Sequence, residues 1–285
     1  SIIGMILALV PLAGVLVAVY LIDRWEPEPP GLVVLALAWG AVGAIGLTLL
    51  VDFLLSIAID PRSPLRGDAF TSVVQAPLVE EFFKGLGVFL IYVFARRAFD
   101  GPVDGIVYGA LVGAGFAFTE NIQYFAVSLI EGGFEETTAT FFVRGILSPF
   151  AHVMFTSVTG FALGLAARRG YGPTAALGPG LIGLAGAVAL HALWNGSAVF
   201  GDFIPLYVTV QVPFFIAFIL GVLALRREEA RLTRARLGDY AAAGWFTPQE
   251  VNMLATGPGR RAGLAWARTL PGDRTRIMKS FILDA

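Results

Sequence analysis

Two adjacent glutamates and a lysine lie inside one strongly apolar stretch of this sequence. The stretch QAPLVEEFFKGLGVFLIYVF covers residues 75–94 and contains Glu80, Glu81 and Lys84. An ionisable side chain in the middle of a membrane costs roughly 3 kcal/mol or more, so three in one helix need a purpose. Lys84 lies about one helical turn after both glutamates and can neutralise one carboxylate. The other carboxylate is left to accept a proton, as a general base does.

Further polar side chains interrupt later apolar stretches. FAFTEN ends in Glu120 and Asn121, His152 follows, and HALWN contains His191 and Asn195. His191 and Asn195 are four residues apart and share a helix face. Carboxylates, histidines and an amide could hydrolyse a peptide bond, with one carboxylate activating water and His191 and Asn195 stabilising the oxyanion. The same types of side chain suit a zinc ion that keeps one position open for water.

Other reaction classes lack their residues. The chain has no cysteine, which excludes disulfides, thiolate metal sites and a cysteine nucleophile. It contains no GxSxG or HExxH, no phosphate-binding loop and no dinucleotide fingerprint. Peptide hydrolysis is the chemistry that the remaining residues favour.

The elements that position these groups are expected to be membrane helices. Of 285 residues, 56% are hydrophobic and 14% charged, with a mean hydropathy of +0.76. Soluble proteins carry about 25% charged residues, so the composition indicates an all-α, polytopic membrane helix bundle. A span needs about 20 apolar residues. The seven predicted spans are 2–22, 31–59, 69–95, 102–130, 141–167, 174–198 and 204–225. The glycine pairs 109/113 and 160/164 predict close helix contacts.

The polar groups share one depth. The glutamate pair, Glu120, His152 and His191 each lie about 7 to 11 residues from the outer end of their span, which places them within roughly 6 Å of one level. Four helices that each bring their most costly groups to one level predict a single site. Asp104 and Arg144 lie near span ends instead, where snorkelling to the interface explains them, and Asp52 is ambiguous for the same reason.

Charge predicts the orientation and a separate tail. Arginine pairs at 96–97, 168–169 and 226–227 fall on one side of the membrane, and the acidic loop 131–140 falls on the other. Residues 226–285 hold 11 Lys or Arg against 6 Asp or Glu. We therefore expect a transmembrane domain at 1–225 and a small, basic, helical C-terminal tail in the cytoplasm, without nucleic-acid binding.

Four motifs resemble those of the PrsW-type intramembrane proteases, glutamate-dependent relatives of the CAAX-protease and bacteriocin-processing enzymes. They are EEFFK (80–84), FAFTEN (116–121), the His of SPFAHVMFTSVTG (148–160) and HALWN (191–195). The resemblance covers residues 70–198. It implies a bacterial plasma-membrane enzyme that cleaves a membrane protein, typically a single-span anti-sigma factor. Members are often called metalloproteases, which implies zinc, but a water activated by glutamate without a metal is an alternative.

These observations assign provisional roles. Glu80 is the general base, and Glu81 is a supporting carboxylate balanced by Lys84. Glu120, His152 and His191 form the wall that binds a metal or the water. His191 and Asn195 are oxyanion donors if no metal is present, and Asn121 supports Glu120. The competing interpretations are a proton- or cation-coupled transporter that uses the same carboxylates, which predicts internal repeats that the motifs do not show, and a non-enzymatic scaffold.

Overall fold

A computed structural model describes residues 2–284, and these residues form helices and short connections without a strand. The all-α prediction is confirmed. The longer helices of the described residues are α1 (Ile2–Asp23), α2 (Pro30–Ala58), α3 (Ala76–Phe94), α4 (Pro102–Glu131), α5 (Gly133–Phe141), α6 (Ala151–Arg168), α7 (Pro173–Phe200), α8 (Phe203–Ala242), α9 (Pro248–Ala255), α10 (Gly257–Arg268) and α11 (Arg274–Asp284). A π-helical turn, Thr71–Gln75, leads into α3, and another, Phe142–Leu147, follows α5.

Six helical segments of the described residues are long and apolar enough to cross a membrane. They are α1, α2, α4, the segment Gly133–Arg168, α7 and α8. The chain is therefore a membrane helix bundle, as predicted. The remaining predicted span, 69–95, corresponds to α3, which is not among these six and carries three charged side chains, Glu80, Glu81 and Lys84. That this helix also crosses the membrane stays a prediction.

Helix α4 is the centre of the bundle. In its membrane-spanning window 89% of residues are buried, against 28% in α1 and α2 and 22% in α7. The outer helices instead expose large apolar side chains, such as Val42 (72% exposed) and Ile182 (75% exposed). Apolar outer faces around a polar interior are what a bundle surrounded by lipid requires.

Glycines bring α4 and α6 into backbone contact. A Cβ atom on Gly105 would collide with the carbonyl of Gly160, and one on Gly113 would collide with the carbonyl of His152. No larger residue fits without moving the helices apart, which confirms the predicted contacts of the small residues. This contact places His152 of α6 beside the part of α4 that carries Glu120.

The two aspartates near predicted span ends have specific partners. Asp104 caps the start of α4 and accepts hydrogen bonds from the backbone amides of Gly101 (2.7 Å) and Asp100 (2.9 Å). Asp52 accepts a hydrogen bond from the Gln75 side chain at 2.9 Å. Both carboxylates therefore stabilise helix ends or helix contacts.

The chain divides into two compact units after Phe218. The second unit has its own hydrophobic cluster, formed by Leu237, Leu254, Ala255 and Ile282. Helix α9 begins with a capping box, in which Thr247 accepts a hydrogen bond from the Glu250 amide at 3.2 Å and the Glu250 carboxylate accepts one from the Thr247 amide at 2.7 Å. The cytoplasmic location of this basic unit stays a prediction.

Candidate active site

Helix α3 places three ionisable side chains in the interior of the bundle. Glu81 and Lys84 are fully buried, and Glu80 is 8% exposed. The Lys84 ammonium lies 2.6 Å from Glu81 Oε1 and 3.2 Å from Glu80 Oε2, so the lysine contacts both carboxylates rather than one. The two glutamates face different surroundings, because adjacent helix positions diverge by about 100°. Of the two, Glu80 lines a cavity.

Glu81 fixes the ring of His191. Its Oε1 accepts a hydrogen bond from His191 Nδ1 at 3.0 Å, and its Oε2 accepts one from the Thr156 hydroxyl at 3.0 Å. An ionised carboxylate only accepts hydrogen bonds, so the His191 proton lies on Nδ1. The lone pair of a neutral His191 is then on Nε2, which lies 4.0 Å from Glu80 Oε2.

Glu120 holds His152 in a similar way. His152 Nε2 lies 2.8 Å from Glu120 Oε2, and the Lys84 ammonium lies 3.1 Å from His152 Nδ1. Because an ammonium only donates, Nδ1 is the accepting nitrogen and the ring proton lies on Nε2. The Phe116 ring lies beneath this group, with the Lys84 nitrogen 4.1 Å from its centroid. Each histidine therefore donates to one carboxylate and keeps one lone pair.

Arg144 belongs to the site, although the sequence suggested that it reaches the interface. Its guanidinium forms an ion pair with Glu120, and its Nε donates to Asn121 Oδ1 at 2.8 Å. The guanidinium carbon also lies 3.8 Å from the centroid of the Tyr124 ring. The sequence did contain a signal for this role, because Arg144 is the one Asp, Glu, Lys or Arg residue in the predicted span 141–167.

Asn195 lies one turn after His191 on α7. Its amide nitrogen donates to the Ser72 carbonyl at 2.8 Å, which joins α7 to the π-helical turn before α3. One of the two amide hydrogens is used in this bond, and the other is left for a ligand. The structure thus brings together every polar residue that the sequence assigned to the site.

These residues surround a cavity of about 540 Å³. Its polar lining contains Glu80, Glu120, Asn121, Arg144, His152, His191 and Asn195, among other side chains. Glu81 and Lys84 are not part of the lining. A cavity with convergent carboxylate, imidazole, amide and guanidinium groups is typical of an active site.

Comparison with known proteins identifies the family of this chain. The profile described as PrsW family intramembrane metalloprotease matches residues 28–219, which include every residue of the site. The chain belongs to the PrsW family. The resemblance noted from the four motifs is confirmed, and this PrsW-family chain is an integral membrane protein.

Curated relatives carry the same family name. The chain is 35% identical over 147 residues to Protease PrsW of Geobacillus kaustophilus, covering 52% of this chain and 59% of the relative. It is 33% identical over 147 residues to Protease PrsW of Bacillus subtilis, covering 52% of this chain and 61% of the relative. The chain thus spans about three fifths of the length of these relatives. No solved structure shows a significant match.

The PrsW-family site contains a group that could hold a metal ion. One ligand atom each from Glu80, His152 and His191 lies within 4.8 Å of the others, and all three residues are buried. Two imidazoles and one carboxylate are a donor set that zinc takes in catalytic sites. The sequence had favoured Glu120 with the two histidines, whereas in the structure Glu120 accepts from His152 and pairs with Arg144. The donor types fit a metal, and a metal on His152 Nδ1 would take the lone pair that now accepts from Lys84.

Proposed function

We propose that this chain is an intramembrane endopeptidase that uses Glu80 to activate water. The observation that carries the proposal is the buried group of Glu80, His152 and His191, with ligand atoms within 4.8 Å of one another, on the wall of a cavity inside a membrane helix bundle. Membership of the PrsW family supports the same reaction.

Glu80 is the residue best placed to move a proton. Among the described residues, its carboxylate contacts Lys84 and His191 through Oε2, which leaves Oε1 for a water in the cavity. Oε1 takes the proton as the water oxygen attacks the peptide carbonyl, and it passes the proton to the amide nitrogen that leaves. Glu81 is fully buried, and its two oxygens are occupied by His191, Thr156 and Lys84, so its role is to hold these partners.

The carbonyl oxygen develops negative charge during the attack. Asn195 can donate its free amide hydrogen to that oxygen. His191 suits this role less well, because its proton faces Glu81 and its Nε2 carries a lone pair. We therefore assign His191 to holding a metal ion or the water, and Asn195 to the oxyanion.

Glu80, His152 and His191 would hold a zinc ion, in which case the Glu80 oxygen that is not a ligand would still accept the proton from water. When bound, zinc would polarise the carbonyl and make water more acidic. The carboxylates of Glu120 and Glu81 would orient the two imidazoles, as carboxylates that accept from metal-binding histidines commonly do. Zinc analysis of the purified chain tests this part: we expect one zinc per chain, loss of the metal in His152→Gln and His191→Gln, and loss of cleavage with a chelator. Cleavage that survives complete removal of the metal would support the metal-free alternative.

The substrate is inferred to be a membrane protein. The outer faces of the helices are apolar and the site lies inside the bundle, so a substrate in the same bilayer can approach from the lipid. Within the PrsW family we favour a single-span protein of the anti-sigma-factor type. We also propose that the basic tail lies in the cytoplasm, because the positive-inside rule predicts this orientation.

Cleavage assays with single carboxylate variants test the proposal. Purified chain is reconstituted with single-span substrates, and the rates of wild type, Glu80→Gln and Glu135→Gln are compared. Glu135 is exposed outside the cavity, so its variant controls for loss of a carboxylate. We expect no cleavage by Glu80→Gln and unchanged cleavage by Glu135→Gln. Full activity of Glu80→Gln would reject the assignment.

A further inference from the structure

Arg144 is a partly buried charge that the proposed reaction has not yet used. It lies in the π-helical turn Phe142–Leu147, and its side chain is 22% exposed. π-helical turns cost hydrogen-bond geometry and are frequent at functional sites, where they turn a side chain toward a ligand or partner. A guanidinium in this position needs partners to offset its desolvation.

All three partners of Arg144 are on one turn of α4. The guanidinium pairs with Glu120, Nε donates to Asn121 Oδ1 at 2.8 Å, and the cation lies over the ring of Tyr124. These contacts use the planar fork of an arginine, which a lysine cannot reproduce. The side chain therefore connects the turn after α5 to the part of α4 that carries Glu120.

The contact with Glu120 extends to His152. The same oxygen, Glu120 Oε2, accepts from Arg144 Nη2 and from His152 Nε2. Glu120 also lines the cavity together with Glu80, a second carboxylate that repels it. The guanidinium offsets this repulsion and keeps the Glu120 carboxylate on the imidazole.

We propose that Arg144 is a positioning residue that holds Glu120 on His152 Nε2, so that the His152 lone pair on Nδ1 stays directed at the Lys84 ammonium. This inference rests on the proposed function, since it concerns the same site, and it adds a residue that none of the four motifs contains. Arg144 acts through Glu120 and His152 and need not touch the reacting atoms.

Histidine NMR reads the effect directly, because the chain has two histidines. The full chain with ¹⁵N-labelled histidine is purified in detergent, treated with a chelator and measured at pH 8, and His152→Gln assigns the signals. In wild type we expect the His152 Nε2 proton to resonate downfield and exchange slowly with water. In Arg144→Gln that proton should move upfield and exchange faster, while the His191 signals stay unchanged.

Two further variants complete the design. Arg144→Lys keeps the charge without the fork, so we expect a His152 shift between those of wild type and Arg144→Gln. Arg62→Gln removes an exposed arginine that does not line the cavity, and it should leave both histidines as in wild type. The kinetics of substrate cleavage are measured as well. Arg144→Gln should lower kcat by about 10- to 100-fold and leave KM nearly unchanged.

The outcomes separate the positioning role from the proposed function. Unchanged His152 signals in Arg144→Gln would overturn the inference, and so would equal shifts of both histidines with a matching loss of thermal stability, since that result indicates a purely structural residue. A selective His152 shift in a chain whose wild type cleaves no substrate would support the positioning role and reject the endopeptidase.

Discussion

Glu81 accepts a hydrogen bond from His191 at 3.0 Å in a part of the bundle where neither residue reaches the surface. The bond fixes the tautomer of His191 and directs its Nε2 lone pair toward Glu80. We predict that Glu81→Gln lowers kcat by about 10- to 100-fold, because an amide neither carries the charge that faces Lys84 nor accepts as strongly. Cleavage rates measure this change, with Glu135→Gln as the matched control. Wild-type rates in Glu81→Gln would show that the bond has no part in the reaction.

Two threonines on α6 offer a matched pair of substitutions. Thr156 is fully buried and donates to Glu81, whereas the buried Thr159 hydroxyl has no hydrogen-bond partner among the described residues. Thr156→Val should cost about 1–3 kcal/mol of stability and slow cleavage, because it leaves a buried carboxylate oxygen without its donor. Thr159→Val removes a buried hydroxyl that makes no hydrogen bond, so this substitution should leave the stability unchanged or increase it. Thermal unfolding in detergent compares them, and equal losses would contradict the assigned bond.

Gly113 is expected to tolerate no side chain. A Cβ atom there would collide with the carbonyl of His152, so Gly113→Ala should push α6 away from α4, destabilise the bundle by about 1–3 kcal/mol and displace His152 from Glu120. Gly14→Ala is the control, since a Cβ atom at that position has no atom within 4 Å. Melting temperatures and cleavage rates should fall for the first variant alone.

Glu28 should make stability depend on pH. It precedes α2, outside the membrane-spanning helices, and burial raises the pKa of its carboxyl from 4.5 to about 9 although the Tyr108 hydroxyl donates to it. The folded state holds this proton more tightly than the unfolded state, so its contribution is full below pH 4.5 and is lost as the pH rises toward 9. Glu28→Gln should therefore gain in melting temperature over wild type as the pH increases across this interval. A difference that does not change with pH would contradict the buried, protonated carboxyl.

The sequence was sufficient to predict the helices and, apart from Arg144, the charged and histidine side chains that line the cavity. Apolar length located six of the seven predicted spans, and the common depth of Glu120, His152 and His191 indicated one site. The rotation of each helix about its axis could not be predicted from the sequence, because it depends on contacts between helices such as that between Gly113 and the His152 carbonyl. For this reason the sequence left open which glutamate faces the cavity.

The hydrogen-bond partner of each histidine could not be predicted from the sequence either. That Glu81 holds His191 and Glu120 holds His152 follows from packing between residues far apart in the chain. Arg144 was placed at the interface because its position near a span end allowed snorkelling. Its actual direction is set by the π-helical turn in which it lies, a local geometry that apolar periodicity does not indicate.

Cleavage in ¹⁸O-labelled water tests the central claim most directly. Purified chain and single-span substrates are reconstituted in liposomes, and the products are analysed by mass spectrometry. We predict a product whose new carboxyl group carries one ¹⁸O atom and lies within or next to the apolar segment, formed by wild type and Glu135→Gln and absent with Glu80→Gln. Cleavage by Glu80→Gln at the wild-type rate, or intact substrates with the wild-type chain, would contradict hydrolysis by a water that Glu80 activates.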